Sequence, residues 1–280
     1  MPQKRTGTLQ APGTELYYEV RGDAGPVLLL ISGGYGDAAG FAPLAGLMAD
    51  RFTVVAYDRR GNSRSVLTGP PTDLRMSEQS GDALEILDAV GAERAYVLGS
   101  SSGALVGLDL LARHPERIAG LVAHEPPALT LLPEGAEYLA KAEDLAALRK
   151  DRGAQAAVDA FMAGMFPPEG EPEFEPGFDW DPAIMDRMAV NAEVLFDREL
   201  IPSIGFRPDE AALAAVADRL VVGVGELSRD WPPACAGLEL AASVGAWTVQ
   251  FPGGHLGCLT RARAFAERLA EVLDGFEAGE

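Results

Sequence analysis

Residues 95–108 read A-Y-V-L-G-S-S-S-G-A-L-V-G-L, and this stretch decides the fold. Apolar residues lie on both sides of the central G-S-S-S-G. This pattern predicts a buried strand, a sharp turn and a buried helix. Gly-Ser runs are commonly flexible linkers, but a linker joins polar segments and this run joins apolar ones. A strand-to-helix turn leaves no room for side chains beside its apex, which explains Gly99 and Gly103 and makes Ser101 the predicted nucleophile.

Short apolar segments alternate with helical periodicity along most of the chain. This alternation predicts an α/β protein with a mostly parallel sheet flanked by helices. Helices are predicted at 41–49, 73–90 and 263–273, the second with Thr72 as its N-cap and Gly91 as its end. Strands are predicted near 7–11, 15–21, 27–31, 53–57, 96–98, 118–123, 220–224 and 247–251.

The alternation stops after Pro126 and resumes near Pro208. The intervening residues carry helical patterns and an acidic, Pro-rich stretch, but no strand pattern. The helical patterns lie at 137–150, 154–165 and 182–196. Because the strand pattern resumes intact, we interpret 127–208 as a helical cap, or lid, inserted into a core formed by 1–126 and 209–280.

The composition disfavours several classes of function. Lys and Arg total 23 against 42 for Asp and Glu, and the net charge of −19 opposes binding to nucleic acid or anionic membranes. The polar N-terminus lacks a secretory signal and no segment has the ~20 apolar residues of a membrane span, so we expect a soluble, cytoplasmic protein. Cys235 and Cys258 have no metal-ligand spacing, and we expect both to be reduced and no metal to be bound. The oligomeric state stays open, with a homodimer as one option.

Three histidines are candidates for the base that a serine nucleophile needs. His114 falls in the last turn of the helix after Ser101, and His124 ends a predicted strand. His255 lies in the loop P-G-G-H-L-G after the final predicted strand. Because parallel strands end at one edge of a sheet, this loop would bring His255 to the edge that carries Ser101. We therefore predict His255 as the base.

The carboxylate that would orient His255 has two candidates. Glu125 directly follows the strand pattern at 118–123, and two prolines after it would hold it extended at the edge of the sheet. Asp230 lies in the loop G-E-L-S-R-D after the strand pattern at 220–224. We favour Glu125 and keep Asp230 as the alternative, because the choice depends on side-chain geometry.

Two loops are predicted to supply backbone N–H donors for a developing oxyanion. The sequence S-G-G-Y-G at 32–36 follows a predicted strand, and its glycines would let N–H groups approach a reacting oxygen. The second donor would come from the start of the helix after the predicted nucleophile. We predict Gly34 and Ser102 as the pair of donors.

The sequence D-R-R-G-N-S at 58–63 follows another predicted strand. Its charge density is compatible with phosphate binding. We interpret it instead as a structural turn, in which carboxylate and guanidinium groups satisfy one another and the nearby backbone.

Together these motifs resemble the α/β-hydrolase superfamily. The matching pieces, S-G-G-Y-G, Y-D-R-R-G-N-S, G-S-S-S-G and P-G-G-H-L-G, occur in the family order and span nearly the whole chain. The resemblance implies an eight-stranded, mostly parallel sheet, a helical cap after the sixth strand, and hydrolysis by Ser101 and His255. Ser32 replaces the usual histidine of the oxyanion loop. An acid at Glu125, after the sixth strand, is similar to that of the zearalenone-type lactone hydrolases.

We therefore expect a cofactor-free serine hydrolase that cleaves a carboxylic ester or lactone through an acyl-enzyme. The cap favours a small-molecule substrate of medium size and largely apolar character, contacted by Tyr35, Phe161, Met165 and Met188. Hydrolysis of a thioester or a carbon–carbon bond by the same residues is an alternative. A ligand-binding receptor with little turnover is another, because a fold does not fix a function.

Overall fold

The computed structural model describes residues 4–70, 72–165, 175–176 and 181–278. Within these residues, nine strands form a single sheet in the order β1-β2-β4-β3-β6-β7-β8-β9, and β5 pairs with β2. The strands are β1 (Arg5–Ala11), β2 (Thr14–Arg21), β3 (Val27–Ile31), β4 (Thr53–Tyr57), β5 (Val66–Leu67), β6 (Ala95–Ser100), β7 (Ile118–His124), β8 (Leu220–Gly225) and β9 (Trp247–Phe251).

The centre of the sheet is parallel and buried on both faces. β3 pairs in parallel with β4 and β6, and β6 to β9 continue in parallel, whereas β1 and β2 are antiparallel. All six residues of β6 are buried, as a strand covered by helices on both faces requires. The predicted α/β fold and its eight strands are confirmed. The short β5 was not predicted, because two residues carry no periodicity.

The helices alternate with the parallel strands and then cluster between β7 and β8. They are α1 (Ala42–Met48), α2 (Met76–Ala89), α3 (Ser102–Arg113), α4 (Gly135–Arg152), α5 (Ala154–Met165), α6 (Ile184–Val194), α7 (Leu200–Ile204), α8 (Glu210–Ala214), α9 (Pro232–Val244), α10 (Gly257–Thr260) and α11 (Ala262–Ala278). A π-helical turn, Leu195–Glu199, joins α6 to α7 without a break, so 184–204 is one continuous helix. The α9 helix, rich in alanine, was missed by the sequence analysis.

The start of α2 differs from its prediction. The helix begins at Met76 with Arg75 as its N-cap, so Thr72 is not the cap. The Leu74 N–H donates to the Arg198 carbonyl at 3.0 Å, which ties the preceding chain to a distant helix and keeps it out of α2. The predicted end of α2 is confirmed, because Gly91 follows the helix with a φ of 72°.

The described residues between β7 and β8 form helices joined by short turns and irregular segments, and they include no strand. Their buried apolar side chains, including Leu195, Phe196 and Leu200, belong to the same hydrophobic cluster as those of β6 and α3. The insertion is therefore packed onto the sheet through a continuous core. Its division from the rest of the chain at 127–208 stays a prediction. No helix in the described ranges has both the length and the apolar character needed to cross a membrane.

The two glycines that flank the 100–102 turn are packed against backbone. A Cβ on Gly99 would lie 2.6 Å from the Ala104 Cα, and one on Gly103 would lie 2.5 Å from the Ser32 carbonyl oxygen. Neither distance is compatible with a methyl group, and backbone atoms have little freedom to move away.

We expect Gly103→Ala to lower the free energy of unfolding by about 3 kcal/mol, because overpacking here displaces β3 from α3. Gly81→Ala is the matched control, since a Cβ at this position in α2 meets nothing within 4 Å. The control should raise stability by about 0.5–1 kcal/mol. Urea denaturation measures both changes, and wild-type stability in Gly103→Ala would contradict the packing argument.

Candidate active site

Ser101 lies at the apex of the turn between β6 and α3. Its backbone has φ 54° and ψ −125°, a conformation that non-glycine residues rarely adopt. The turn is held on both sides, because Ser101 N–H donates to the His124 carbonyl at 2.9 Å and its own carbonyl accepts from Ala104 N–H at 2.8 Å. Ser100 and Ser102 are buried, whereas Ser101 is partly exposed and lines a cavity. All three serines line the cavity, and Ser101 is the most exposed of them.

His255 lies in the loop between β9 and α10 and lines the same cavity. Its Nδ1 is 2.7 Å from Oε2 of Glu125, and both side chains are buried. Glu125 directly follows β7 with a φ of 46°, and its N–H donates to the Gly223 carbonyl at 2.9 Å. The other carboxylate oxygen, Oε1, accepts from the Gly225 N–H at 2.8 Å and from the Ser228 hydroxyl. The carboxylate is thus fixed between β8 and the imidazole.

The hydrogen bonds of Glu125 decide its charge. Burial alone would raise the pKa of this carboxyl, but the bonds from His255 and Ser228, with the nearby histidines, bring its pKa below the ordinary value. Glu125 is therefore ionised at neutral pH. A carboxylate can only accept hydrogen bonds, so His255 donates to Glu125 from Nδ1, and Nε2 is the ring nitrogen that can accept a proton.

Asp230, the alternative acid, lies elsewhere. It is exposed in the turn before α9, whereas the Glu125 carboxylate is buried against His255 Nδ1. Ser228 occupies the place after β8 and donates to Glu125. The sequence analysis did not assign Ser228 a role. Its signal was its position three residues after Gly225, where such sites commonly carry a carboxylate.

The loop after β3 lies directly beside the Ser101 turn. A Cβ on Gly33 would come 3.0 Å from the Ser101 Cβ, and one on Gly34 would come 3.1 Å from Leu195 Cδ1. Tyr35 follows with a φ of 44°. Gly34 and Ser102 both line the cavity that Ser101 lines. A Cβ on Gly34 would also lie 3.9 Å from the Ser102 Oγ, so the two loops approach each other here.

The cavity has a volume of about 400 Å³ and an almost entirely apolar wall. Tyr35, Phe161 and Met188, three of the four predicted substrate contacts, line this cavity, and their contact with a substrate stays a prediction. Met165 ends α5, and its side chain lies outside the described residues. A second apolar cavity of about 350 Å³ adjoins the first and shares Phe161 with it. Among the residues that the structure describes, no group of three or more His, Cys, Asp or Glu could hold a metal ion.

A family model described as the alpha/beta hydrolase fold matches residues 26–193. The chain is also 35% identical over 273 residues to the uncharacterized hydrolase YraK of Bacillus subtilis (strain 168), covering 96% of each chain. The chain belongs to the α/β-hydrolase fold family. It is a hydrolase by this membership, and the family resemblance of the sequence motifs is confirmed.

Solved structures agree with this assignment. An alpha/beta hydrolase from Sphaerobacter thermophilus DSM 20745 is 27% identical to this α/β hydrolase, with a TM-score of 0.69 and coverage of 96% and 99% of the two chains. The enol-lactonase from Burkholderia xenovorans LB400 is 21% identical, with a TM-score of 0.69 and coverage of 96% and 100%. At that identity the likeness concerns the fold.

His124 is the other buried histidine of this α/β hydrolase, and it faces away from the cavity. Its ring packs edge-on against Phe251 and Phe265, with centroids 5.7 and 5.2 Å away. Neither ring nitrogen has a hydrogen-bond partner among the described residues. Burial lowers the pKa of His124 to about 4, against the opposing charge of Glu125. The ring is therefore neutral in the folded protein near pH 7.

We expect this histidine to make the protein acid-sensitive. The unfolded chain takes up the proton near pH 6.5 and the folded protein only near pH 4, so stability falls as the pH drops through this window. At pH 5 the loss relative to pH 7.5 is about 2 kcal/mol. Urea denaturation at both pH values measures this loss of stability. The loss should be about 2 kcal/mol smaller in His124→Leu than in wild type. His114→Asn, at a partly exposed histidine, should retain the wild-type loss, and equal losses in all three proteins would contradict the assignment.

Proposed function

We propose that this α/β hydrolase is a cofactor-free serine hydrolase that cleaves a carboxylic ester or lactone through an acyl-enzyme. One observation carries the proposal. The imidazole of His255, bonded through Nδ1 to the buried Glu125 carboxylate at 2.7 Å, shares a cavity with Ser101 at its strained turn. A nucleophile, a base and an orienting acid on one cavity are what acyl transfer requires.

The chemistry proceeds in two acyl transfers. His255 Nε2 accepts the proton of the Ser101 hydroxyl as Oγ attacks the carbonyl carbon of the substrate. The tetrahedral intermediate then expels the alkoxide, which takes the proton from His255 and leaves as an alcohol, or stays tethered if the substrate is a lactone. Water, deprotonated by His255, attacks the acyl-enzyme and releases the carboxylic acid, and the proton returns to Ser101. Glu125 keeps the ring oriented and stabilises its charged form.

Two backbone donors would stabilise the oxyanion. Gly34 N–H and Ser102 N–H belong to the two loops that meet at the Ser101 turn. Ser102 also begins α3, whose first N–H groups and positive dipole end lie at this point. Such preorganised donors contribute about 3–4 kcal/mol each to transition-state stabilisation in related chemistry.

The cavity wall supports a largely apolar substrate of medium size. The volume of about 400 Å³ is in the range of small-molecule sites, and most of the accessible wall is apolar, although Asp37, Asp181 and several serines also line it. Glu125 directly follows β7, a placement that is similar to that of the zearalenone-type lactone hydrolases and favours a lactone among the candidate esters.

Replacing the nucleophile tests the mechanism. We expect Ser101→Ala to lower kcat for p-nitrophenyl butyrate by at least about 10⁴-fold, because the acyl-enzyme cannot form. A fluorophosphonate probe should label wild type once per chain and leave Ser101→Ala unlabelled. Wild-type turnover in Ser101→Ala would contradict the mechanism, whereas labelling of wild type with negligible turnover of any ester would favour the receptor alternative.

The two candidate acids can be compared directly. Glu125→Gln should lower kcat by about 10³–10⁴-fold, because a neutral amide neither fixes the His255 tautomer nor stabilises the imidazolium. Asp230→Asn makes the same chemical change at an exposed site, and it should keep kcat within about twofold of wild type. Steady-state hydrolysis of the same ester measures both, and the reverse order of effects would assign the acid to Asp230.

Phe161 lines both cavities, as do Pro127, Leu200 and Ile204, and it is the largest of these side chains, so its removal should change the preference for chain length. We expect Phe161→Ala to raise kcat/KM for p-nitrophenyl decanoate relative to the butyrate by about tenfold, since each added methylene in an apolar pocket contributes up to about 0.8 kcal/mol. Phe206→Ala removes the same ring outside both cavities. An unchanged ratio in Phe161→Ala would place the acyl chain elsewhere.

A further inference from the structure

The continuous helix at 184–204 contacts the loop after β3 through three of its side chains. We call residues 32–37 the oxyanion loop. Arg187 Nε donates to Asp37 Oδ2 at 2.5 Å, and Asn191 Nδ2 donates to the Tyr35 carbonyl at 3.1 Å. Leu195 Cδ1 lies against Gly34, where a Cβ would come within 3.1 Å. Side chains spaced four residues apart on the helix thus contact three residues of the oxyanion loop.

Four residues further along the helix, Glu199 forms a buried charge pair with Arg59. Arg59 Nη1 lies 2.6 Å from Glu199 Oε1, and both side chains are almost completely inaccessible to solvent. Arg59 Nη2 donates to the Gly33 carbonyl at 2.8 Å, and Nη1 also reaches Gln79 Oε1 at 2.7 Å. Glu199 Oε1 in turn accepts from the Ser102 hydroxyl at 3.0 Å. The pair therefore touches both loops that would supply oxyanion donors.

The bond to Gly33 fixes the direction of the next N–H. The Gly33 carbonyl and the Gly34 N–H belong to one peptide plane, and in a trans peptide they point in opposite directions. Two groups hold the carbonyl, the Arg59 guanidinium and the Gly36 N–H at 3.3 Å. Consecutive glycines would otherwise allow this plane to rotate at little cost. The charge-assisted hydrogen bond from Arg59 to the Gly33 carbonyl opposes that rotation.

We propose that Arg59 and Glu199 are positioning residues that set the two oxyanion donors, Gly34 N–H through the Gly33 carbonyl and Ser102 N–H through its side chain. This inference rests on the proposed serine-hydrolase function. Glu199 comes from the insertion between β7 and β8, and Arg59 from the loop after β4. The donors are therefore aligned only while the 184–204 helix is docked on the sheet.

Stability alone does not explain a charged pair in this place. A buried ion pair loses about as much hydration free energy as it gains in attraction, and well-packed apolar residues commonly replace it without loss of stability. The π-helical turn at Leu195–Glu199 ends on Glu199, and such turns occur frequently at functional sites. What apolar residues cannot supply is a donor to Gly33 and an acceptor for Ser102.

A pair of double variants separates positioning from stability. Arg59→Met/Glu199→Leu removes both charges together, so no uncompensated buried charge remains. Arg60→Met/Asp82→Leu makes the same change one residue along the same loop, where Arg60 Nε and Asp82 Oδ2 are 2.6 Å apart, buried, and absent from the cavity wall. Both proteins should unfold in urea near the wild-type midpoint. The first should lose about 10–100-fold in kcat for p-nitrophenyl butyrate with KM within threefold, and the second should keep kcat within twofold.

Phenylboronic acid gives a readout that a purely structural role would not change. Its tetrahedral adduct with Ser101 places an oxygen on the donors, so its inhibition constant should rise with the fall in kcat while KM does not. Arg59→Lys is the conservative variant, because a lysine can pair with Glu199 but lacks the planar fork that also reaches Gly33. It should fold normally and still lose at least about fivefold in kcat.

The outcomes are distinguishable. Absence of ester turnover and of fluorophosphonate labelling in wild type would contradict the proposed function itself. Wild-type turnover, with kcat and the boronate inhibition constant of both Arg59 variants within twofold of wild type, would overturn the positioning role alone. A crystal structure of Arg59→Met/Glu199→Leu supplies the test that does not depend on activity, because a rotated Gly33–Gly34 peptide supports the inference and an unchanged one contradicts it.

Discussion

The close approach of three backbone segments beneath Ser101 is the constraint on which the site depends. A Cβ on Gly103 would lie 2.5 Å from the Ser32 carbonyl oxygen, so the start of α3 rests directly on the end of β3. β3 and β6 are paired in parallel up to Ile31 and Gly99, which brings their carboxyl ends to one edge. This contact leaves the Ser101 turn and the oxyanion loop no room to move apart. It therefore fixes both the strained conformation of Ser101 and the position of the loop.

A second constraint is that the two oxygens of the Glu125 carboxylate bind different partners. One oxygen is bound by Gly225 N–H and Ser228 at the end of β8, and the other receives His255 Nδ1. The sheet thereby fixes the carboxylate, and the carboxylate fixes the imidazole of His255. Because β7, β8 and β9 are parallel neighbours, the loops that carry these residues need no long side chain to meet.

Much of this arrangement was predictable from the sequence, because it depends on local patterns. The Ser101 turn and the position of His255 follow from motifs and from the rule that parallel strands end together. The choice between Glu125 and Asp230 required side-chain geometry, which no local pattern encodes. Arg59 was interpreted only as part of a structural turn, since its partner Glu199 lies 140 residues away in the chain. Thr72 failed as a helix cap because a tertiary hydrogen bond at Leu74 overrides the local preference.

The position of the 184–204 helix limits how the substrate specificity of such an enzyme can diverge. Met188 and Leu195 shape the cavity from the helix that also carries Asn191 and Glu199. Under the proposed positioning role, substitutions there would change substrate fit and catalytic rate together. Phe161, on α5, lines the same cavity from an element outside that helix. Because α5 also contacts the oxyanion loop, through the Tyr35 hydroxyl that donates to the Met162 sulfur at 3.3 Å, the proposed mechanism admits new substrates only through changes that keep this loop in place.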